Sequence, residues 1–300
     1  MKKLEKITSY MTPEAKTVVS LDLGLYKPVL KLAMANKELS KNWILRPGEL
    51  HIIMAMLRAI GSFLDGTGLD SILSSLYDNS TVASILAGKC VRRAIQAHIS
   101  LRLALFKCHI DEFYKLHPHI KERLDPELNK LVDALQGKNS NEAQSLHNDI
   151  AQIMTDLDVL TKMKTFNIKE SKGKPTFRVA LQYMQMVDTM LLFIKSVRSA
   201  NWDLHLAALE EFVKYFFALD LSNYSSMIAW YIADMKQLES KNPSLWNEFK
   251  RGNWVVHKSK KSFCALGADE AIEHENRAMK VLGGLVNITQ KKQALTAVFF

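Results

Sequence analysis

From Glu49 to Phe249 the apolar residues return at the period of an α-helix, segment after segment. Ile52, Ile53, Met56, Leu57, Ile60 and Leu64 set the pattern over Glu49 to Leu64, and the glycines of Asp65-Gly66-Thr67-Gly68 suit the left-handed backbone that ends a helix. Lys89 to His117 predicts one long helix, and Asp125-Pro126-Glu127 reads as a cap followed by Pro at the first helical position. Gln136 to Asn141 is a turn, the next helix reaches about Lys164, and Lys169 to Pro175 reads as a linker. Pro175 to Arg198, Trp202 to Ala218, Asn223 to Glu239 and Pro243 to Phe249 predict four more helices. With so much of the length committed to helix, the fold is expected to be mainly α.

Strand signals are confined to the start. Adjacent Val18 and Val19 favour a strand over residues 17–23, Lys27-Pro28 then reads as a helix start, and Asn42 to Arg46 reads as a second strand stopped by Pro47-Gly48. Three segments are expected: a small α/β unit over 1–60, a helical body over 61–262 with a sub-boundary at 165–176, and a closing acidic helix and tail over 263–300.

Bulk composition narrows the function classes. A chain of 300 residues with 48% hydrophobic and 24% charged residues can bury a sizeable core. Lys and Arg number 40 against 31 acids, a net charge of +9 that favours polyanionic partners such as DNA. Three widely spaced cysteines make neither a disulfide framework nor a zinc knuckle, which fits a reducing interior. The charged N-terminus lacks a signal-peptide pattern, and Val179 to Ile194 is broken by Gln182, Gln185 and Asp188, so no membrane association is expected.

Candidate chemistry lies at the two ends. Asp22 would stand at the mouth of the first strand, and Asp269, Glu270, Glu273 and Glu275 crowd the start of the closing helix. Two-metal phosphoryl chemistry draws carboxylates from distant positions onto ions about 4 Å apart, and oxygen ligands suit Mg²⁺. Asp22 and Glu273 are thus candidate metal ligands and catalytic residues. The plain alternative is that Asp22 caps a turn and the later acids favour a helix N-terminus. Lys250, Arg251, Trp254, Lys258, Lys260 and Lys261 interleave cations with an aromatic ring, a combination suited to phosphates and base stacking. Arg92 and Arg93 form a second basic patch whose other reading is a solvated face. His117 and His119 flank Pro118 but match no metal-site spacing, and Gly88-Lys89-Cys90 is no phosphate loop.

Val18 to Tyr26, Leu45 to His51, Gly61 to Leu69, Asn201 to His205 and Ala268 to Glu273 together resemble an uncharacterised mobile-element-associated protein family of animal genomes, over about residues 15–290. The order strand, Asp, helix, strand, His, helix is more distantly similar to ribonuclease-H-like transposases of the Mutator-like and P-element-like kinds, whose core a helical insertion interrupts. That resemblance implies that Asp22 is the second catalytic carboxylate and Glu273, followed by Asn276, Arg277 and Gly283-Gly284, the third. It makes residues 60–260 the insertion and His51 and Asp269 supporting residues around the metal. It further implies Mg²⁺ or Mn²⁺, DNA as partner and a nuclear location. Only some sixteen residues precede the first strand, so the first catalytic Asp is expected to be missing and catalysis incomplete alone. The rival reading is a non-enzymatic, all-helical protein-interaction module, with protein partners or a homo-oligomer.

Overall fold

A computed structural model describes residues 17–282. They fall into two compact units: one takes the described residues up to Asp65, Tyr77–Ala94 and those from Asp188 onward, the other Gly66–Leu76 and Ile95–Val187.

The first unit opens with β1 (Thr17–Leu21), helix α1 (Leu23–Ala35), the short α2 (Lys37–Ser40) and β2 (Trp43–Pro47). The strands pair in parallel, Thr17 opposite Trp43 through Leu21 opposite Pro47, so Asp22 and Gly48 follow side by side at their carboxyl ends. A helical crossover between parallel strands is the βαβ unit. α1 starts earlier than its proline suggested. Asp22 is the cap, its Oδ1 accepting from the Gly24 N–H at 2.8 Å, and Pro28 lies inside the helix.

After β2 the chain turns at Gly48 into α3 (Glu49–Leu64), whose Ile52, Ile53, Met56, Leu57, Ile60 and Leu64 are all buried, as their spacing required. α4 (Leu69–Ser74) and α5 (Asn79–Leu86) follow, and α5 packs on α3. Gly88, at φ +67°, lies so close to α3 that a Cβ there would meet the Met54 carbonyl at 2.8 Å.

α6 (Val91–Leu116) and α10 (Pro175–Arg198) each have residues in both units. Between them α7 (Pro118–Gln136), α8 (Ser140–Asp156) and α9 (Val159–Gly173) belong to the second unit. Its core gathers Phe113, Ile120, Leu124, Ile150, Val159 and Phe166. α7 begins at His117-Pro118, not at Asp125-Pro126; Pro126 sits on its exposed side. The linker expected over Lys169 to Pro175 is helical on both sides of Lys174, and the sub-boundary expected at 165–176 lies inside the second unit.

α11 (Trp202–Ala218), α12 (Ser222–Lys236), α13 (Leu238–Lys241) and α14 (Pro243–Lys250) return to the first unit. α11 packs on α3, and α12 on α1 and β2. The compact units therefore do not follow the expected division at residue 60. The apolar faces of α11 and α12 are what bury α3 and β2. A two-residue pair, β3 (Val256–His257) with β4 (Ala265–Leu266), leads into α15 (Ala268–Leu282), which packs on α3 and β1. The fold is mainly α with a few short strands. Gly283-Gly284 and the tail to residue 300 lie outside the described residues. No helix among the described residues is long and apolar enough to cross a membrane.

Candidate functional site

Six consecutive residues, Arg46 to His51, carry two polar centres. The first is buried. Arg46 leaves the end of β2 into a cage of aromatic rings, its guanidinium carbon 5.6 Å from the Trp202 ring centre, 5.2 Å from Phe249 and 5.0 Å from Trp254. It donates to the Trp254 carbonyl at 2.7 Å and the Tyr231 hydroxyl at 3.3 Å, and it is ion-paired with Glu49 one turn along. Burial pushes the Glu49 carboxyl upward and the guanidinium opposes it. Cation–π contacts and one acceptor at each of the three guanidinium nitrogens let a charge stay in such a place.

The second centre is half-exposed. The N-cap of α3 is Gly48, which has no side chain to cap the helix. Asp269, from the first turn of α15, takes that role: its Oδ1 accepts from the Leu50 N–H at 3.2 Å and its Oδ2 from the His51 N–H at 3.1 Å. Gly48 is required for this approach, because a Cβ there would lie 2.2 Å from the Asp269 carboxylate. The same Oδ2 is 3.0 Å from His51 Nδ1, while His51 Nε2 faces Asp22 Oδ2 at 3.4 Å. Carboxylates at both ring nitrogens favour the imidazolium over the neutral ring. The Asp269 hydrogen bond and the Asp22 charge raise its proton affinity above that of an ordinary histidine, although partial burial opposes them. Burial pushes the Asp269 carboxyl up, but its bonds to the His51 ring and to the Leu50 and His51 N–H groups outweigh that and hold it below the usual range. Arg198 fixes α15 beneath this contact, donating to Glu270 at 2.8 Å and to the Ala265 carbonyl at 3.2 Å.

Asp22 and His51 form one wall of an open cleft of about 920 Å³. Lys27 and Lys31, one turn apart on α1, and Arg58 on α3 contribute three exposed cations. Ser222 and Asn223 from the first turn of α12 add polar groups, and Lys27 Nζ is 3.3 Å from Asn223 Oδ1. The N-cap of α12 is Leu221, so no side chain caps this end, and its positive dipole faces the same space. The cleft lies at the carboxyl ends of parallel strands, where α/β sheets commonly take ligands. With Asp22 Oδ2 in front of it, His51 Nε2 does not stand free toward the cleft.

The expected metal pair fares differently. Glu273 is exposed, one turn along α15 from Asp269; its charge adds to the pull on the His51 proton, but no hydrogen bond or ion pair joins it to Asp22 or His51. Asp269 has both oxygens engaged by three backbone N–H groups and the His51 ring. That leaves Asp22 Oδ2 and His51 Nε2 as donors. Imidazole suits Zn²⁺, Fe²⁺ or Ni²⁺, whereas Mg²⁺ and Mn²⁺ prefer oxygen ligands. Among the described residues no group of three or more His, Cys, Asp or Glu could hold a metal ion. The residues present thus do not fit a two-metal centre.

The basic segment also needs correcting. Trp254 is 4% exposed, closes the cage around Arg46 and donates from Nε1 to the Ala200 carbonyl at 3.2 Å, so it cannot stack on a base. Lys250 is paired with Asp203 and Arg251 with Glu248, while Lys258 Nζ is 2.8 Å from His274 Nδ1. Lys260 and Lys261 are exposed on the loop between β3 and β4, and Arg92 and Arg93 are exposed at the start of α6. None of these residues lines the cleft. The cleft's own cations escaped the sequence reading; Lys27 and Lys31, four apart immediately after a strand-borne Asp, were the signal.

No curated protein and no solved structure matches this chain. One family model does, over residues 3–300, and by that match the chain belongs to the family described as a domain of unknown function (DUF8702).

Proposed function

We propose that this chain is a transposase-derived DNA-binding protein, and that the cleft beside His51 is where it holds the phosphodiester backbone. The observation that carries this reading is the gathering of Lys27, Lys31 and Arg58 around one cleft at the carboxyl ends of β1 and β2, beside His51, whose proton affinity is raised. Phosphate contacts of this kind supply the sequence-independent part of nucleic-acid affinity. The net charge of +9 acts in the same direction at longer range.

The ribonuclease-H-like relationship is supported by the βαβ arrangement with Asp22 after the first strand and His51 in the first turn after the second. It is also supported by the return of α15 to that spot, with Asp269 bonded to a residue 218 positions earlier. In this reading Asp22, His51 and Asp269 are the surviving centre, and Asp269 takes the place expected of Glu273. Their work is to set the charge and shape of the cleft floor, and no metal-dependent step is assigned to them. DNA as partner goes with a nuclear location.

The test is fluorescence anisotropy with labelled duplex and single-stranded DNA at low ionic strength. Saturable binding that weakens as salt rises is expected. Absence of binding to either form would overturn the reading in favour of a helical protein-interaction module.

A further inference from the structure

A second groove lies wholly within the other compact unit. Helix α9 presents Leu160, Lys164, Ile168 and Lys172 at intervals of four, alternately apolar and cationic and all exposed. Leu160 is 73% exposed and Ile168 52%. Arg178 and Leu181 of α10 form the other wall. No acid lines the groove, and no ion pair holds Lys164, Lys172 or Arg178 among the described residues. A ridge at i, i+4, i+8 beside a second helix is the geometry that receives a further helix, with Leu160 and Ile168 about 12 Å apart along the axis. Two large exposed aliphatic side chains make a poor bed for phosphates and a good one for an amphipathic helix.

The complement is on the same chain. On α15, Ile272 is 59% exposed and Met279 40%. They are seven residues and about 10 Å apart on one face, with exposed Glu275 between them. Apolar–acid–apolar over about 10 Å answers apolar–cation–apolar over about 12 Å, in the same order and with opposite sign at the centre.

We propose that the α9–α10 groove receives α15 of a second copy of this chain, Ile272 and Met279 seating beside Leu160 and Ile168 while Glu275 faces Lys164. The two surfaces differ, so the contact is heterologous, and copies close into a reciprocal pair or continue head to tail. Opposite charges set the register and aliphatic burial supplies the holding force.

The experiment is sedimentation velocity on the full chain over a range of concentrations. Wild type is expected to gain mass with concentration, and the double variant Lys164→Glu/Lys172→Glu and the single variant Glu275→Lys are each expected to associate at least about tenfold more weakly. Circular dichroism checks that both remain folded. Mixing the two variants is decisive, since one retains an intact α15 and the other an intact groove. A one-to-one complex is expected from the mixture. Wild type that stays monomeric at every concentration, self-association untouched by these substitutions, or a mixture that does not associate would each overturn the proposal.

Discussion

Arg46 and His51 are five residues apart, and each is a basic group facing a carboxylate, yet they do different work. Arg46 sits at 2% exposure, enclosed by Trp202, Phe249 and Trp254 and bonded to Glu49. His51 sits at the rim, its side chain 27% exposed, facing Asp269 on one side and Asp22 on the other. The difference is solvent. A buried charge must keep its partners at all times, so it locks β2 against α14 and the β3 approach. A half-exposed charge can exchange its proton, so its state alters what the neighbouring cleft attracts.

The sharpest way to break this contrast is to remove one partner at each centre. Arg46→Ala leaves Glu49 buried and uncompensated, and urea denaturation should report a loss of about 3–5 kcal/mol. Replacing both, Arg46→Met with Glu49→Leu, should cost far less than the single change, because no orphan charge remains. His51→Gln should leave the fold nearly intact. A loss there as large as at Arg46 would mean that the two centres are alike.

Gly48→Ala comes next. The new methyl group meets the Asp269 carboxylate, so either the cap on α3 or the docking of α15 must give. Overpacking of this kind costs about 1–3 kcal/mol, measurable as a lower denaturation midpoint at unchanged m-value. Tolerance of Gly48→Ala would mean that α15 is not seated as described.

Smaller still is the effect of charge at the cleft. Lys27→Glu with Lys31→Glu should leave stability unchanged, because both side chains are exposed, and should weaken DNA binding about tenfold or more at low salt. Equal binding by this variant would move the nucleic-acid surface elsewhere, to the loop of Lys260 and Lys261 or to Arg92 and Arg93.

The smallest expected effect is a pH dependence. The folded state raises the proton affinity of His51, so its contribution to stability is complete below the pKa of an unfolded histidine and is lost as pH rises through the higher folded value. DNA affinity should fall over the same window, because losing that proton leaves the cleft acids Asp22 and Asp220 with one cation fewer to offset them. His51→Gln should flatten both profiles, and an unchanged profile would remove His51 from the account.

Much of this was legible in the chain. The buried face of α3 follows from its apolar spacing, and the strand at Val18-Val19 from β-branching. The cap of α14 follows from Asn242-Pro243, where Asn242 accepts from the Leu245 N–H at 3.1 Å. Asp22, His51 and Asp269 were all singled out, and Asp22 does cap the turn after its strand, but the meeting of His51 with both acids was not readable. Distance along a helix cannot say whether Asp269 or Glu273 turns inward, and it was the missing side chain at Gly48 that admitted the former. Trp254 misled for a related reason. A tryptophan among lysines reads as a stacking platform until the cage around Arg46 claims it. Lys27 and Lys31 passed as ordinary helix surface because only the fold brings α12 opposite them.

The most direct test of the central claim is the salt dependence of duplex binding by wild type and by Lys27→Glu/Lys31→Glu, measured side by side. Log affinity should fall linearly with log salt, at a slope of about −0.9 per phosphate neutralised, and the variant's slope should be shallower by about two such contacts. Parallel slopes with equal affinities, or no binding by wild type at low salt, would contradict a phosphate-holding cleft beside His51.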